Sequence, residues 1–238
     1  MKIYIITHRE DETMEMYDYF LKKYWQTADM IVLGYKEPTY KSDFIKFISL
    51  GEDLGPNFLN KQLYDYFLEL NESQFIFGSD DMPMLRQVNI ELINYSEELL
   101  KSNDTVGRIG LTADNSTRSH IVVSNISNSI NLIENVNNEV DSYKLSGTWS
   151  AWNIEYFLLY LMDYDKLWEW EINGSIKSKD DIFRILGYIQ PPFIHSHLIK
   201  RKKIIANWYE GCVNEGVGIL PIEMSYEDKQ KIKDIYNI

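Results

Sequence analysis

The chain has 238 residues, of which 14% are aromatic, and a formal net charge of −12 at pH 7. A chain of this length can bury a full core within one domain, and its acidic balance argues against a general nucleic-acid or anionic-membrane surface, because both need a positive field. Its only cysteine, Cys212, excludes an intrachain disulfide and favours a reducing compartment, and without an apolar run of about 18 residues no transmembrane helix is predicted.

The first 35 residues predict a strand, a helix and a second strand. Residues 2–7 form a short, β-branched apolar run that is typical of a strand buried on both faces. Residues 11–25 carry apolar side chains at helical spacing behind an acidic start, which favours a helix. With the apolar run at residues 30–33, this order indicates a right-handed βαβ unit and the beginning of a largely parallel sheet.

The sheet is predicted to continue with two more strands. Residues 44–50 are a strand candidate, a loop at 51–57 precedes a helix over about 58–70, and a fourth strand begins at Gln74. A loop that leads into a helix N-terminus offers free backbone N–H groups to an anion. Because ligands of α/β proteins collect beyond the carboxyl ends of the strands, we expect the four strand ends to converge on one pocket.

After residue 81 the predicted elements become shorter and less regular. A helix is predicted over 89–100, a strongly apolar helix over 149–162, and an extended segment at 164–175. The remaining predictions are short strands within residues 106–114, 119–125 and 129–134, a short helix over 178–186, and a polar final helix that begins at Ser225. Without an internal repeat or a linker, the prediction is one α/β domain over residues 1–238, with halves at 1–85 and 86–238.

The most informative stretch is QFIFGSDDMP, residues 74–83, in which a buried strand delivers Asp80 and Asp81 to its carboxyl end. Two adjacent carboxylates repel each other, and one of them is pushed towards protonation unless a cation lies between them. A divalent cation that prefers oxygen ligands, Mg²⁺ or Mn²⁺, makes the pair favourable and also binds a phosphate. The alternative is an Asx-rich turn that caps the next segment and binds no metal.

Histidines and lysines in the last quarter of the chain add to this hypothesis. His195 and His197 lie in a loop that can return to the sheet edge, where either would complete the metal shell and favour Mn²⁺. The alternative is two surface histidines. The run KRKK at residues 200–203 includes Lys202 and Lys203, which could offset charge on a diphosphate leaving group; the alternative is a solvated basic face.

Glu169 and Glu171 are candidate general bases because they alternate with Trp168 and Trp170, with Asp165 nearby. A carboxylate that is partly desolvated by a tryptophan has a raised pKa, which suits removal of a proton from an alcohol. Tryptophan rings also stack on the apolar faces of sugars. The alternative is an ordinary strand with its aromatic side chains in the core and its glutamates in water.

Together these segments resemble the small GT-A nucleotide-sugar glycosyltransferases, particularly those of large DNA viruses, phages and bacteria that build surface glycans. The resemblance rests on KIYIITHR at the start, VLGY in the second strand, FIFGSDDMP, and the segments WSAWNIEYFLLYLM and LWEWEINGS. It covers residues 2 to about 210, and its DxD-like element is Ser-Asp-Asp in this chain. It implies a GT-A-like, mostly parallel central sheet flanked by helices, with a nucleotide-sugar half at 1–85 and a smaller acceptor-side region beyond.

The resemblance also implies roles for individual residues. Binding of a UDP- or GDP-sugar is implied for Thr7, Arg9, Tyr35, Asp53, Lys61 and Asp80, with Lys202 and Lys203 at the diphosphate. Binding of Mn²⁺ or Mg²⁺ is implied for Asp81, with Asp80, His195 and His197 as further candidates. Glu171, or failing that Glu169, would be the base, and Trp149, Trp152, Trp168 and Trp170 would contact the acceptor.

The predicted reaction is metal-dependent transfer of a sugar to a hydroxyl group of a glycan or saccharide, with inversion inferred from the carboxylate base and retention left open. One alternative is a carbohydrate-binding or scaffold protein on the same fold. Another is a sugar nucleotidyltransferase, which is less favoured because THREDETM, after the first strand, contains no glycine. We expect a cytoplasmic enzyme, in the host cytoplasm if the chain is viral, with no nucleic-acid partner.

Overall fold

A computed structural model describes residues 1–127, 130–136, 144–200, 203–214 and 219–238 of the chain. The strands are β1 (Ile3–Ile6), β2 (Met30–Gly34), β3 (Ile45–Ser49), β4 (Gln74–Ser79), β5 (Val106–Gly110), β6 (His120–Ser127), β7 (Ile130–Asn135), β8 (Ser150–Asn153), β9 (Arg184–Tyr188), β10 (Ile199–Lys200), β11 (Lys203–Ile204), β12 (Glu210–Asn214) and β13 (Ile219–Glu223). The α-helices are α1 (Glu10–Tyr24), α2 (Leu59–Leu68), α3 (Ile90–Ser102), α4 (Ile154–Leu161), α5 (Leu167–Glu169), α6 (Ser175–Lys177) and α7 (Tyr226–Tyr236). Ala113–Thr117 and Ser178–Asp180 are 3-10 turns, and Trp170–Gly174 is a π-helical turn.

Nine of these strands form one continuous sheet in the order β3-β2-β1-β4-β8-β5-β9-β7-β6. The first four run parallel, with Ile3 of β1 opposite Met30 of β2 on one side and opposite Ile76 of β4 on the other. β8 enters antiparallel between β4 and β5, β5 and β9 are again parallel, and the β7–β6 hairpin forms the far edge. Only β7 and β8 therefore run against the other strands of this sheet, which confirms the predicted mostly parallel central sheet.

Helices cover both faces of the sheet because its central strands are apolar on both sides. Ile3 and Ile5 of β1 point into a core that is shared with α1, α3 and α7, whereas Tyr4 and Ile6 point into a core that is shared with α2 and α4. This alternation follows from the period of two in a strand. The layered arrangement confirms the α/β fold class. In the described ranges, no helix has the length and apolarity needed to cross a membrane.

The apolar stretch predicted as one helix over 149–162 is a strand followed by a helix. Its first part is β8, which is buried in the middle of the sheet, and α4 begins only at Ile154. Asn153 sets the boundary, because its side chain accepts hydrogen bonds from the backbone N–H groups of Glu155 and Tyr156. A strand that is buried on both sides lacks polar alternation, so its periodicity does not distinguish it from a buried helix.

The extended segment predicted at 164–175 and the helix predicted over 178–186 are also wrong. The first is mostly helical, with α5, the π-helical turn and α6 in succession, and the second is a 3-10 turn followed by β9. Side chains two positions apart differ by about 200° around a helix. Trp168 is accordingly 56% exposed while Trp170 is fully buried, whereas a strand would have placed both on one face. We call residues 167–180 the helical segment.

The last helix, α7, is anchored to α1 through one buried carboxylate. Asp228 accepts hydrogen bonds from the hydroxyl groups of Tyr19 and Tyr24 and from Lys23 Nζ, at 2.7–2.8 Å. The predicted start at Ser225 is confirmed, because the Ser225 hydroxyl accepts from the Asp228 backbone N–H at 3.2 Å. These donors lower the pKa of Asp228 even though burial alone would raise it.

Candidate active site

A cleft of about 560 Å³ opens at the edge of the sheet where β1, β4 and β5 end. Because β8 runs in the opposite direction, the residues just before it lie at the same edge. The polar lining comprises Thr7, His8, Ser79, Asp80, Asp81, Asp114, Arg118, Ser146, Thr148, Glu171 and His197. Of the four strand ends predicted to converge, those of β1 and β4 line this cleft, whereas the residues that follow β2 and β3 are not among its described lining. The other side is formed by residues after β5 and before β8.

The acidic turn, which we define as residues 79–82, leaves β4 where that strand passes Trp149. A Cβ atom added to Gly78 would lie 2.8 Å from the Trp149 indole, so a residue with a side chain would force the ring or the strand to move. The glycine that marks the end of the strand in the sequence thus permits the close approach of β4 to a buried ring. The two carboxylates that follow, those of Asp80 and Asp81, line the cleft.

The Asp80 carboxylate is held by donors that follow β1. Its Oδ2 atom accepts hydrogen bonds from Thr7 Oγ1 and from Arg9 Nη2, both at 2.8 Å. Burial raises the pKa of Asp80, and the charge of Asp81 adds to this rise, while Arg9 and Thr7 oppose it. The predicted residues Thr7, Arg9 and Asp80 therefore form one hydrogen-bonded group beside the cleft.

Asp81 and His197 come together because two backbone segments run side by side. The Leu198 N–H donates to the Asp81 carbonyl oxygen at 2.8 Å, and the Ser196 N–H donates to the Pro83 carbonyl oxygen at 3.2 Å. Asp81 and His197 both line the cleft. Of the two predicted histidines, His197 is thus the one that the structure brings to the acidic turn.

His195 occupies a different environment from His197. Its ring stacks against Phe193 at 6.0 Å and meets the His197 ring edge-on at 5.0 Å. Burial lowers the pKa of His195 to about 4, so the imidazole is neutral at pH 7. Among the described residues the cleft lining includes His197 and not His195, which leaves His195 as a support for its neighbour.

The residue types in the acidic turn fit a divalent cation in part. Carboxylate oxygens are the ligands that Mg²⁺ and Mn²⁺ prefer, and an imidazole such as that of His197 favours Mn²⁺. Across the part of the chain that the structure describes, no three His, Cys, Asp or Glu side chains group closely enough to hold a metal ion by themselves. A cation here would need further oxygen ligands from a bound molecule, and a diphosphate has such oxygens.

Tyr35 and Asp53, two of the predicted nucleotide residues, flank His8 beside the cleft. The His8 ring stacks on the Tyr35 ring with 5.0 Å between their centroids, and His8 Nδ1 lies 3.6 Å from Asp53 Oδ2. The Tyr35 hydroxyl donates to Gln62 Oε1 of α2 at 3.0 Å, which fixes the ring. The two stacked rings offer a flat surface of the kind on which a nucleobase can pack.

Neither Lys61 nor Lys203, two of the predicted lysines, is among the described residues that line the cleft. Lys61 is exposed and pairs with Asp65 one helical turn further along α2, with 2.6 Å between Nζ and Oδ2. Lys203 is exposed in β11 and is not among the described residues that line the cleft. Lys202 lies outside the described residues. The one predicted cation that the structure places beside Asp80 is therefore Arg9.

Glu171 reaches the cleft from the helical segment. Its Oε1 atom accepts a hydrogen bond from the Gly147 backbone N–H at 2.5 Å. Burial raises the pKa of Glu171, although the Gly147 N–H and the charge of Arg108 both act to lower it. Glu169, the second predicted base, instead lies 3.3 Å from Lys166 Nζ. The geometry thus favours Glu171 over Glu169 as the carboxylate that meets a substrate.

Three of the four predicted acceptor tryptophans are core residues. Trp149, Trp152 and Trp170 are fully buried. Trp149 stacks on Phe193 at 4.3 Å, and Trp152 and Trp170 pack against each other at 5.5 Å. An indole without an exposed face cannot stack on a sugar, which removes these three from the acceptor candidates. Trp168, at 56% exposure, is the one predicted tryptophan whose ring reaches solvent.

Six polar residues of the cleft were not predicted as site residues, and two of them, His8 and Ser79, lie directly beside the predicted Thr7 and Asp80. Asp114 and Arg118 belong to the turn that follows β5, and Ser146 and Thr148 precede β8. A signal for Asp114 was present, because it is the last residue of the stretch predicted to hold a strand, much as Asp80 lies at the end of β4. Ser146 and Thr148 gave no signal, since the strand after them was predicted as a helix.

No protein-family model matches the chain, and no curated protein matches it. Similar solved structures include CMP:2-keto-3-deoxy-manno-octonic acid synthetase in complex with CTP, which is 10% identical over 78% of this chain and 88% of that chain, with a TM-score of 0.42. Glucosyl-3-phosphoglycerate synthase from Mycobacterium tuberculosis, in complex with Mn²⁺, UDP-glucose and phosphoglyceric acid, is 11% identical over 65% of this chain and 56% of that chain, with a TM-score of 0.36. A Bacillus anthracis protein assigned as a glucose-1-phosphate thymidylyltransferase is 14% identical over 83% of this chain and 89% of that chain, with a TM-score of 0.44. At such identities, the roles of residues in this chain rest on its own geometry.

Proposed function

We propose that this chain is a metal-dependent glycosyltransferase that moves a sugar from a nucleoside-diphosphate sugar to a hydroxyl group of a glycan or saccharide. The observation that carries the proposal is that the Asp80–Asp81 turn and the partly buried Glu171 carboxylate line one cleft. The turn has residue types that suit a cation and a diphosphate, and Glu171 has the raised pKa that suits a general base.

On the donor side, the nucleotide lies over the ends of β1 and β2. Its base packs on the stacked rings of His8 and Tyr35, and its diphosphate lies beside Arg9 and the acidic turn. When bound by Asp81 and His197, Mn²⁺ or Mg²⁺ supplies positive charge for the departing diphosphate. Arg9, which is held in place by Asp80, adds a second positive charge that is present whether or not a metal ion is bound.

On the acceptor side, Glu171 takes the proton of the attacking hydroxyl group. As the hydroxyl oxygen bonds to the anomeric carbon, the bond from that carbon to the diphosphate breaks and the proton passes to the carboxylate. Attack opposite the leaving group inverts the anomeric configuration. The hydrogen bond from Gly147 holds the carboxylate still, and Asp114 and Thr148 are available for other hydroxyl groups of the acceptor.

A sugar nucleotidyltransferase is the second candidate, because the acidic turn and Arg9 would serve the phosphates of a nucleoside triphosphate equally well. In that reaction a sugar phosphate oxygen attacks the α-phosphorus and diphosphate leaves, so no alcohol proton has to be removed. A buried carboxylate with a raised pKa in the same cleft has no task there. Glu171 is therefore the reason that we favour glycosyl transfer.

The test is to incubate the purified chain with a panel of UDP- and GDP-sugars in Mn²⁺ or EDTA and to follow nucleoside diphosphate and free sugar by chromatography. We expect slow hydrolysis of one nucleotide sugar in Mn²⁺, none in EDTA, and faster turnover once saccharide acceptors are added. A parallel set with nucleoside triphosphates and sugar 1-phosphates follows release of diphosphate.

Each outcome assigns a different function. Diphosphate release without hydrolysis of any nucleotide sugar identifies the nucleotidyltransferase. Saccharide binding without either turnover identifies a carbohydrate-binding protein. If none of these ligands raises the melting temperature in the presence of Mn²⁺, the cleft is not a nucleotide-sugar site, because a ligand that binds only the folded state must stabilise it.

A further inference from the structure

Two buried side chains of α1 contact the acidic turn and its anchor at β1. Thr13 and Tyr17 lie one helical turn apart, and neither side chain reaches solvent. Neither of them lines the cleft, so among the described residues they act on the site only through the residues that do. Both carry a hydroxyl group, and a buried hydroxyl group is costly unless it is hydrogen-bonded.

The Tyr17 hydroxyl group lies between two carbonyl oxygens of the acidic turn. It donates to the Ser79 carbonyl oxygen at 2.6 Å and approaches the Met82 carbonyl oxygen at 3.3 Å. These are the first and last residues of the turn, and the two aspartates lie between them. The position of the hydroxyl group is itself fixed, because the Tyr17 ring packs edge-on against Trp149 at 5.8 Å.

Thr13 reaches Asp80 through Thr7. The hydroxyl oxygens of Thr13 and Thr7 are 2.8 Å apart, and Thr7 Oγ1 also donates to Asp80 and accepts from the Arg9 backbone N–H at 2.9 Å. A hydroxyl group has one proton to donate and two lone pairs that accept. Because the Thr7 proton goes to the carboxylate, Thr13 must be the donor to Thr7, and the relay runs from Thr13 to Thr7 to Asp80.

We propose that Thr13 and Tyr17 are positioning residues that hold the acidic turn in the conformation that presents Asp80 and Asp81 to the cleft. Tyr17 holds the turn backbone, and Thr13 holds the Asp80 carboxylate through Thr7. The effect of these two residues on donor binding rests on the proposed function, but their effect on the conformation of the acidic turn does not. A phenylalanine at position 17 or a valine at position 13 would fill nearly the same volume, so packing alone does not require either hydroxyl group.

The first test compares Tyr17→Phe with Tyr188→Phe. Tyr188 is an equally buried tyrosine whose hydroxyl group is 2.7 Å from Ser96 Oγ, and neither residue is among the described residues that line the cleft, so both variants lose one buried hydrogen bond. Amide hydrogen exchange is measured on the chain without ligand. We expect exchange within residues 78–85 to become about fivefold faster in Tyr17→Phe and to stay at the wild-type rate in Tyr188→Phe. Equal rates in both variants and the wild type would overturn the role of Tyr17.

The second test compares Thr13→Val with Thr13→Ser, which keeps the hydroxyl group. Affinity for UDP and GDP in Mn²⁺ is measured by calorimetry on both variants, on Tyr17→Phe and on the wild type. Loss of groups that orient metal-binding residues typically weakens binding about 10- to 100-fold. We expect that loss in Thr13→Val and Tyr17→Phe and near wild-type affinity in Thr13→Ser.

The two failures are distinguishable. If the wild type binds neither nucleotide, the proposed function fails, while the exchange measurement still decides whether the hydroxyl groups hold the turn. If the wild type binds a nucleotide and Thr13→Val binds it equally well, the positioning role of Thr13 is overturned and the proposed function stands.

Discussion

The carboxylates of Asp80 and Glu171 both line the cleft and are both partly buried, and burial raises the pKa of each, but their surroundings differ. The Asp80 carboxylate receives the Thr7 hydroxyl group and the Arg9 guanidinium on a single oxygen. The Glu171 carboxylate accepts the Gly147 backbone N–H, and a hydrogen bond with the Ser146 side chain also acts to lower its pKa. The charge of Arg108 also acts to lower the pKa of Glu171, and the Arg108 Nε atom donates to Ser150 Oγ at 2.8 Å.

This difference indicates two kinds of chemistry. Asp80 bonds directly to a guanidinium and a hydroxyl group, so its carboxylate is held in a fixed orientation, which suits a ligand or an anchor. Glu171 accepts hydrogen bonds from neutral groups while burial raises its pKa, which suits a base that takes up a proton. The following predictions test this contrast, beginning with the largest expected effect.

Glu171→Gln is expected to lower kcat about 10²- to 10⁴-fold, because the amide cannot accept the acceptor proton. Nucleotide affinity should stay near the wild-type value, since Glu171 does not belong to the acidic turn. The measurement is steady-state sugar transfer together with calorimetric titration of the nucleotide. The matched control is Glu169→Gln, which removes a carboxylate two residues away that pairs with Lys166. An equal loss in both variants would contradict the assignment of Glu171.

Asp81→Asn is expected to weaken Mn²⁺-dependent binding of UDP or GDP about 100-fold while the chain keeps its fold. The reason is that an amide is a poorer ligand for a hard cation than a carboxylate. The measurement is calorimetric titration in Mn²⁺, with the wild type in EDTA as the reference for loss of metal. Asp104→Asn, which alters an exposed aspartate before β5, is the matched control. Unchanged affinity in Asp81→Asn would remove the metal from the proposal.

Asp228 provides a further comparison, because its carboxylate is fully buried, accepts several hydrogen bonds and is not among the described residues that line the cleft. Asp228→Asn is expected to lower the free energy of unfolding by about 2–4 kcal/mol, since the new amide group would face donors from Tyr19, Tyr24 and Lys23. The measurement is urea denaturation at pH 7. Asp65→Asn, at an exposed pair with Lys61, should cost no more than about 0.5 kcal/mol.

The pKa of Asp228 also sets the sign of a pH effect. Its folded pKa is lowered below the ordinary value of 3.8, so its stabilising contribution is present above that value and is lost as pH falls through the folded pKa. The difference in stability between the wild type and Asp228→Asn should therefore shrink in acid. If the wild type and Asp228→Asn differ in stability by the same amount at pH 7 and in strong acid, the charge of Asp228 is not the source of the stabilisation.

Much of the first half of the chain was predictable from its residues. β1 and β2 are short apolar runs that end at turn residues, and α1 combines helical spacing with an acidic first turn. The position of Asp80 followed from the same logic, because Gly78 marks the end of a buried strand. In each case the signal is local, and the sheet then brings the strand ends together without further information from the sequence.

The acceptor side was less predictable because its signals are not local. Glu171 was a candidate through a supposed strand in which Trp168 and Trp170 share a face, whereas the segment is helical and Gly147 supplies its contact. The sequence could not tell a tryptophan buried in the core from one that stacks on a ligand, because the residue type is the same in both places. Contacts such as that of Tyr17 with Ser79 join residues 62 positions apart, which no spacing rule connects.

The smallest predicted effect is a gain in the thermal stability of the protein when Glu171, the proposed base, is replaced by glutamine. Burial raises the folded pKa of Glu171 above its ordinary value of 4.5, so the folded state favours the protonated form. That contribution is fully present below pH 4.5 and is lost as pH rises through the folded pKa. At pH 8 the wild type therefore carries an unfavourable buried charge that Glu171→Gln lacks, while the glutamine can still accept the Gly147 hydrogen bond.

Glu171→Gln should thus have a slightly higher Tm than the wild type at pH 8, and the two should converge towards pH 4. Thermal unfolding between pH 4 and pH 8 measures this difference in Tm. Glu169→Gln is the control, and its Tm should differ from that of the wild type by the same amount at every pH. A Tm that is lower in Glu171→Gln at pH 8 would mean that Arg108 and Gly147 stabilise the charge more than burial destabilises it. In that case the kcat of the wild type should hold constant down to lower pH, because the base would then stay ionised in acid.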